Sequence, residues 1–209
     1  MMITIPQLQQ PHARKNNYKM KRIRTANYIS LVALMFMFCM SCKAQNVLPL
    51  NTSIMDIPNG AYVKDTNNEL NQFIGIYKAN HNGNEITLYV TKQNDKQIKS
   101  GIITFYRDAL IIKFTVKNSS GQLLQDTQNF ASLDNDFYSM KIKNANTVSF
   151  AYEGTTCRVG QGLVYLKKLN AIQLSWDYLP QEGYNKNCPP GSNTTVYLPL
   201  ALGLIFTKQ

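Results

Sequence analysis

From Phe73 onward, apolar and polar residues alternate in short runs separated by turn residues. Glu85–Lys92 places Ile86, Leu88 and Val90 on one face, with Thr87, Tyr89 and Thr91 on the other. Ile172, Leu174, Trp176 and Tyr178 alternate in the same way against Gln173, Ser175 and Asp177. Such a period of two is the mark of a half-buried strand. The same reading gives strands at Phe73–Ala79, Ile102–Arg107, Leu110–Lys117, Phe137–Ile142, Thr147–Glu153 and Gly162–Leu169. Two last short strands fall at Thr195–Leu198 and Leu202–Thr207. His81-Asn82-Gly83-Asn84 reads as a hairpin turn with Asn-Gly at its centre, and Asn118-Ser119-Ser120-Gly121 as another turn.

Ahead of this region, 64–73 carries the signals of one short helix. Asp65 or Thr66 is placed to cap its N-terminus, and Glu69, three residues after Thr66, fits a capping box. The pattern therefore predicts a mainly β chain with one short N-terminal helix and an antiparallel up-and-down β-barrel, which leaves no exposed sheet edge. A β-sandwich has the same periodicity and is the alternative. Phe73-Ile74-Gly75-Ile76-Tyr77-Lys78 resembles the opening of lipocalin-like barrels, with Tyr77 where that fold carries Trp.

The N-terminal part has a different texture. Lys21, Arg22 and Arg24 precede an apolar run from Tyr28 to Met40, interrupted mainly by Ser30. That run is shorter than the about 20 residues a helix needs to cross a bilayer. A basic start, a short apolar run and small residues at its end make a signal peptide. Ser41-Cys42 resembles the bacterial lipobox, which implies cleavage before Cys42 and lipid on its thiol. A plain secretory signal or a retained anchor helix is the alternative. The expected organisation is a leader over residues 1–41 with Met20 as the start, a tether over 42–60, and a single β domain over 61–209. Lys43-Ala44-Gln45 contains no acidic cluster. By resemblance to envelope lipoproteins, this favours an outer-membrane lipoprotein facing the periplasm.

Charge and cysteine counts change meaning once the leader is set aside. The formal net charge is +10, but residues 1–41 hold six basic residues and no acid. Residues 42–209 hold sixteen basic and twelve acidic residues, an excess of +4. With no basic cluster interleaved with aromatics, a nucleic-acid partner is not expected. Of four Cys, Cys39 leaves with the leader and Cys42 takes the lipid. The remaining pair, Cys157 and Cys188, is expected to form a disulfide in an oxidising compartment. Two buried free thiols are the alternative.

Candidate chemistry is sparse. His81, the one His beyond the leader, sits in a predicted turn. Asp134 and Asp136 flank Asn135, but a calcium loop needs six to eight oxygens in a defined spacing. Asp177 falls on an outer strand face. The Asn-x-Ser/Thr sequons at Asn51, Asn118 and Asn193 bear on function only in a eukaryotic secretory route. No phosphate-cradling Gly loop, zinc-protease motif or nucleophile elbow is present. No catalytic residue, metal site or cofactor is expected. The aromatics on strands either fill the core or line a ligand cavity. The candidate ligand-binding positions among them are Tyr77, Phe105, Phe114, Phe150 and Trp176.

Asp56-Ile57-Pro58-Asn59, Lys64-Asp65-Thr66-Asn67-Asn68-Glu69-Leu70-Asn71, Phe73–Ala79, Cys188-Pro189-Pro190-Gly191 and Leu204–Lys208 together resemble a family of small flavobacterial lipoproteins classified only as a domain of unknown function. The resemblance implies an envelope address and no assigned activity. The sequence therefore points to a lipid-anchored, non-catalytic binding or interaction module. Its partner would be a small apolar ligand or, as the alternative, an envelope enzyme that it inhibits or assembles with; an enzyme with unrecognised residues is the remote alternative.

Overall fold

The computed structural model describes residues 28–29, 45–129, 137–181 and 188–209. The folded unit begins at Gln45. Its strands are β1 (Val47–Pro49), β2 (Tyr62–Lys64), β3 (Gly75–His81), β4 (Asn84–Ser100), β5 (Ile103–Lys117), β6 (Leu123–Asp126), β7 (Tyr138–Asn144), β8 (Thr147–Tyr152), β9 (Gly162–Lys168), β10 (Gln173–Pro180) and β11 (Leu204–Lys208).

Strands β3, β4, β5, β7, β8, β9, β10 and β11 pair antiparallel in sequence order, and β11 returns to β3. The result is a closed eight-stranded up-and-down barrel, as the alternation predicts, and the sandwich is excluded. Two seams are thin. β11 meets β3 only at Thr207↔Lys78 and Lys208↔Tyr77. β5 meets β7 at Ile111↔Tyr138, reinforced by Ile112 N–H donating to the Phe137 carbonyl at 2.9 Å and Leu110 N–H to Ser139 Oγ at 2.9 Å.

The β4–β5 hairpin is longer than the barrel. Beyond a bulge at Gln93/Lys96, Lys96–Ser100 pairs with Arg107–Ile103 and projects past one end. There β2 adds in parallel to β5, and β1 in parallel to β2. Leu50, Ile57, Val63, Ile98 and Phe105 are buried under this extension and continuous with the barrel core. Lys96 and Lys99 lie on its distal β4 segment, a common guard against edge-to-edge pairing.

Several boundaries differ from the sequence reading. The tether expected over 42–60 is folded from Gln45 onward, because Leu50 and Ile57 have a core to enter. Ile102–Arg107 and Leu110–Lys117 are one strand running through Arg107 and Asp108, with Ile102 in the turn before it. The helix expected over 64–73 contracts to a single 3-10 turn, Asn71–Phe73. Its capping signal is real but acts on a loop. The Asp65 carboxylate, not the Thr66 hydroxyl, accepts the N–H groups of Glu69 at 2.7 Å and Leu70 at 3.2 Å. Thr195–Leu198 joins no ladder. Leu198 is nevertheless buried, so the segment packs through its side chain.

Candidate functional site

The barrel interior is aromatic and packed. Phe137 lies against Phe150, Tyr152 and Trp176, with ring centroids 5.6, 5.4 and 6.1 Å away. Trp176 also meets Tyr178 and Phe206 at 6.4 and 5.7 Å, largely in tilted or edge-on geometry. Such aromatic pairs add to the stabilisation that burial alone supplies. The Trp176 indole N–H, which needs an acceptor once buried, donates to the Pro199 carbonyl at 3.0 Å.

Of the five sequence candidates, Phe150 and Trp176 enter this aromatic cluster. Phe114 and Tyr77 face the interior from β5 and β3. Phe105 lies apart on the extension, opposite Ile98. All five are buried. The Tyr77 hydroxyl is buried with no hydrogen-bond partner.

The barrel base is closed by the turn before β3. Leu70 and Phe73 are fully buried there. Lys168 Nζ donates to the Gln72 carbonyl at 2.8 Å and Lys208 Nζ to the Ile74 carbonyl at 3.0 Å. Burial, with Lys208 beside it, lowers the Lys168 pKa. Lys208 reaches its acceptor by crossing over Gly75, where a Cβ would stand 2.6 Å from Lys208 Cε. At φ +154° this backbone also favours glycine. The Gly-x-Tyr pattern thus serves the closed base, the end at which lipocalin-like barrels are plugged.

The opposite end carries the β8–β9 and β10–β11 connections. Cys157 and Cys188 join them in a disulfide with a Cα–Cα distance of 5.6 Å. The β8–β9 connection is tightly wound. Cys157 and Arg158 are consecutive left-handed residues at φ 64° and 62°, a conformation costly for side chains with a Cβ. It is held by Thr155 N–H to the Val159 carbonyl, Arg158 N–H to the Thr155 carbonyl, and a 2.8 Å ion pair from Arg158 to Glu153. Tyr178 donates its hydroxyl to the Gly160 carbonyl and ties the connection to β10. The bridge spans 31 positions, so removing it by Cys157→Ser/Cys188→Ser is expected to cost roughly 3–4 kcal/mol in the chain-entropy model. Urea denaturation of the two forms measures the difference. A loss below about 1 kcal/mol contradicts a bracing role.

Where the extension leaves the barrel, a polar cluster is buried that the sequence reading missed. Asp108 Oδ1 accepts the Tyr62 hydroxyl at 2.5 Å and the Asp95 N–H at 3.2 Å. Its Oδ2 accepts the Asp65 N–H at 2.9 Å. The Asp65 carboxylate pairs with Lys92 Nζ at 2.7 Å, and Lys92 also reaches Asn71 Oδ1 at 3.3 Å. Tyr62, Asp65 and Asp108 are all buried. Both Asp108 oxygens are occupied by donors, so the group clamps β2, the 65–70 loop and the β4 bulge onto β5. On the opposite face of β5, Arg107 is also buried, and its guanidinium contacts the Leu50 carbonyl at 3.5 Å. Burial holds the Arg107 pKa down to about 10. A charged Arg107-Asp108 pair inside an apolar run is the sequence signal that could have found this cluster.

Burial raises the pKa of four tyrosines. Tyr152 is pushed up to about 12, and Tyr77 is raised by burial. Tyr62 is raised by burial and then by its hydrogen bond to Asp108. Tyr178 is raised by burial and then by Tyr152. The unfolded chain releases phenol protons near pH ~10, whereas the folded chain retains them. The stability this retention supplies is complete below that pH and lost as pH rises through the raised values, for Tyr152 as it approaches about 12. Tyrosinate absorbance of these four residues is therefore expected to appear together with loss of near-ultraviolet circular dichroism. Full ionisation of all tyrosines with the fold intact contradicts this.

His81 sits in the predicted Asn82-Gly83 hairpin, its ring nitrogen 3.1 Å from Asn82 Nδ2. Asp177, read from the sequence as lying on an outer strand face, accepts the Gly203 N–H at 2.6 Å and steers the chain into β11. Cys42, Asp134 and Asp136 lie outside the described residues. Among the described residues, no group of three or more His, Cys, Asp or Glu side chains is arranged to hold a metal ion. No helix among them is long and apolar enough to cross a membrane.

No curated protein and no solved structure matches this chain. A family of unknown function, DUF6705, matches residues 20–173, a span that runs from Met20 to the first residue of β10 and stops short of β11. The chain belongs to that family.

Proposed function

We propose that this protein is a non-catalytic interaction module of the bacterial cell envelope, held to the membrane by lipid on Cys42 and engaging a protein partner with the disulfide-braced end of its barrel. One observation carries the choice of partner. The interior candidates Tyr77, Phe114, Phe150 and Trp176 are buried in one packed core, while the two connections at the far end are joined by Cys157–Cys188. Rigid loops on a packed scaffold bind with little ordering cost. Leu179, Leu200 and Leu202 are exposed on β10 and the connection that follows it, which suits a protein surface. The anchor is supported by the basic and apolar leader ending in Ser41-Cys42, and by a family match that starts at Met20.

A small ligand is the second reading, favoured by the buried Tyr77 hydroxyl that lacks an acceptor. A bound molecule with one acceptor atom would satisfy it.

Photo-crosslinking in cells separates these readings. A crosslinker at the exposed Thr156, beside the disulfide, is expected to trap one discrete protein, and one at Lys167 on the barrel wall is expected not to. Equal trapping at both positions, or a small molecule released from the purified protein in stoichiometric amount, overturns the protein-partner reading.

A further inference from the structure

We propose that the tip of the β4–β5 hairpin is a membrane-contacting surface, with Ile102 seated in the interfacial layer of the leaflet that holds the lipid on Cys42. This rests on the anchor reading above. Strands β1, β2 and β5 run parallel, so their first residues gather at one edge. At that edge Gly60 N–H donates to the Thr104 carbonyl at 2.7 Å and Thr104 N–H to Asn59 Oδ1 at 2.9 Å. Gln45 Nε2 donates to the Gly60 carbonyl at 3.2 Å. The folded unit thus starts level with Thr104, two residues short of Ile102.

Chain length fixes how far the membrane can be. Three residues lead from Cys42 to Gln45, a contour of about 10 Å at most. Ile102 projects beyond Thr104 by about 7 Å. A lipid on Cys42 therefore holds the headgroup layer within reach of the hairpin tip. The disulfide-braced connections lie at the other end of β4 and β5, away from that layer.

The residue at the tip is the second observation. The loop consists of Gly101 and Ile102, between the paired residues Ser100 and Ile103. Gly101, at φ +58°, supplies the positive angle such a hairpin turn needs. Ile102 has no such role, since its position in the turn accepts polar residues equally well. It is 101% exposed, the most exposed large hydrophobic residue among those described. Scattered apolar side chains on a surface are ordinary. Here Val47, half exposed, starts the strand that follows the tether. Lys99, exposed on the same hairpin, can lay its aliphatic stem on the interface and direct its ammonium to lipid phosphates. An apolar tip flanked by a lysine fits the boundary between acyl chains and headgroups.

The test uses the processed, lipidated protein in vesicles of phosphatidylethanolamine and phosphatidylglycerol containing lipids with a nitroxide on a shallow acyl carbon. A polarity-sensitive fluorophore is attached at Ile102→Cys or, as the reference at the opposite end, at Asn82→Cys. With Cys42 acylated and Cys157 bonded to Cys188, the introduced thiol is the one labelled. The fluorophore at position 102 is expected to shift to the blue on vesicles and to be quenched several-fold more than that at position 82. Equal quenching at both positions, with mass spectrometry showing acylated Cys42, overturns the membrane tip and leaves the anchor standing. A blue shift at position 102 that requires envelope protein rather than lipid also overturns it, in favour of a protein contact. An unmodified Cys42 overturns the anchor and the tip together.

Discussion

Asp108→Ala is expected to cost roughly 3–5 kcal/mol of folding stability, because the Asp65 and Asp95 N–H groups lose their acceptor at about 1–3 kcal/mol each and the Tyr62 hydroxyl loses its 2.5 Å partner. The damage is expected to centre on the extension. β2 is held to β5 by a short parallel ladder, Tyr62↔Tyr106 and Val63↔Arg107, and the Asp108 cluster adds a second attachment. Asp108→Asn separates charge from geometry. Its single carbonyl can still accept Tyr62 and Asp95, while its amide nitrogen meets the Asp65 N–H as donor against donor. About half the loss is expected. Chemical denaturation gives the magnitudes, and amide exchange in β1 and β2 gives the location. A loss below about 1 kcal/mol for Asp108→Ala, with β1 and β2 still protected, would falsify the clamp.

Trp176→Ala is expected to cost about 3–5 kcal/mol, the range for truncating a large buried aromatic. Trp176 is fully buried and touches Phe137, Tyr178 and Phe206, so the void has no solvent route and three rings lose a neighbour. Trp176→Phe retains most of that packing and leaves the Pro199 carbonyl without its donor. About 1–2 kcal/mol is expected there. The chain has a single Trp, so unfolding of these variants is followed by circular dichroism or calorimetry rather than by tryptophan fluorescence. Stability unchanged in Trp176→Ala would mean that the interior is hollow enough to relax, and would favour the small-ligand reading.

How much of this was legible in the sequence depends on where each residue's partners lie. The barrel follows from alternation in runs such as Glu85–Lys92 and Ile172–Leu179, because the face a residue occupies is a local property of a strand. The Cys157–Cys188 bridge follows from counting, on the expectation that Cys39 leaves with the leader and the Cys42 thiol takes the lipid. By contrast, Arg107-Asp108 reads as a break between two strands. Their partners are far along the chain, the Leu50 carbonyl for Arg107 and Tyr62, Asp65 and Asp95 for Asp108, so the charged pair signals a buried cluster without naming its members. The run Gln93–Gln97 looks like a loop because it is polar throughout, yet it continues β4 into the extension, where most of its side chains reach water. The helix signal at Asp65 is genuine capping chemistry, but Phe73 and Leu70 are drawn into the barrel base before a second turn can form. Ile102 reads as the start of a strand, since periodicity cannot tell a buried isoleucine from one at a hairpin tip.

As proposed, lipid on Cys42 anchors one end of the packed barrel while the Cys157–Cys188 disulfide braces the other, and that arrangement has a definite covalent signature. Intact mass measurement of the protein extracted from bacterial membranes without reducing agent reads it directly. The expected species begins at Cys42, carries acyl groups on that residue, and is lighter by two hydrogens for the Cys157–Cys188 bond. A chain that begins elsewhere with Cys42 unmodified, or one that takes up thiol reagent at Cys157 and Cys188 before reduction, contradicts it.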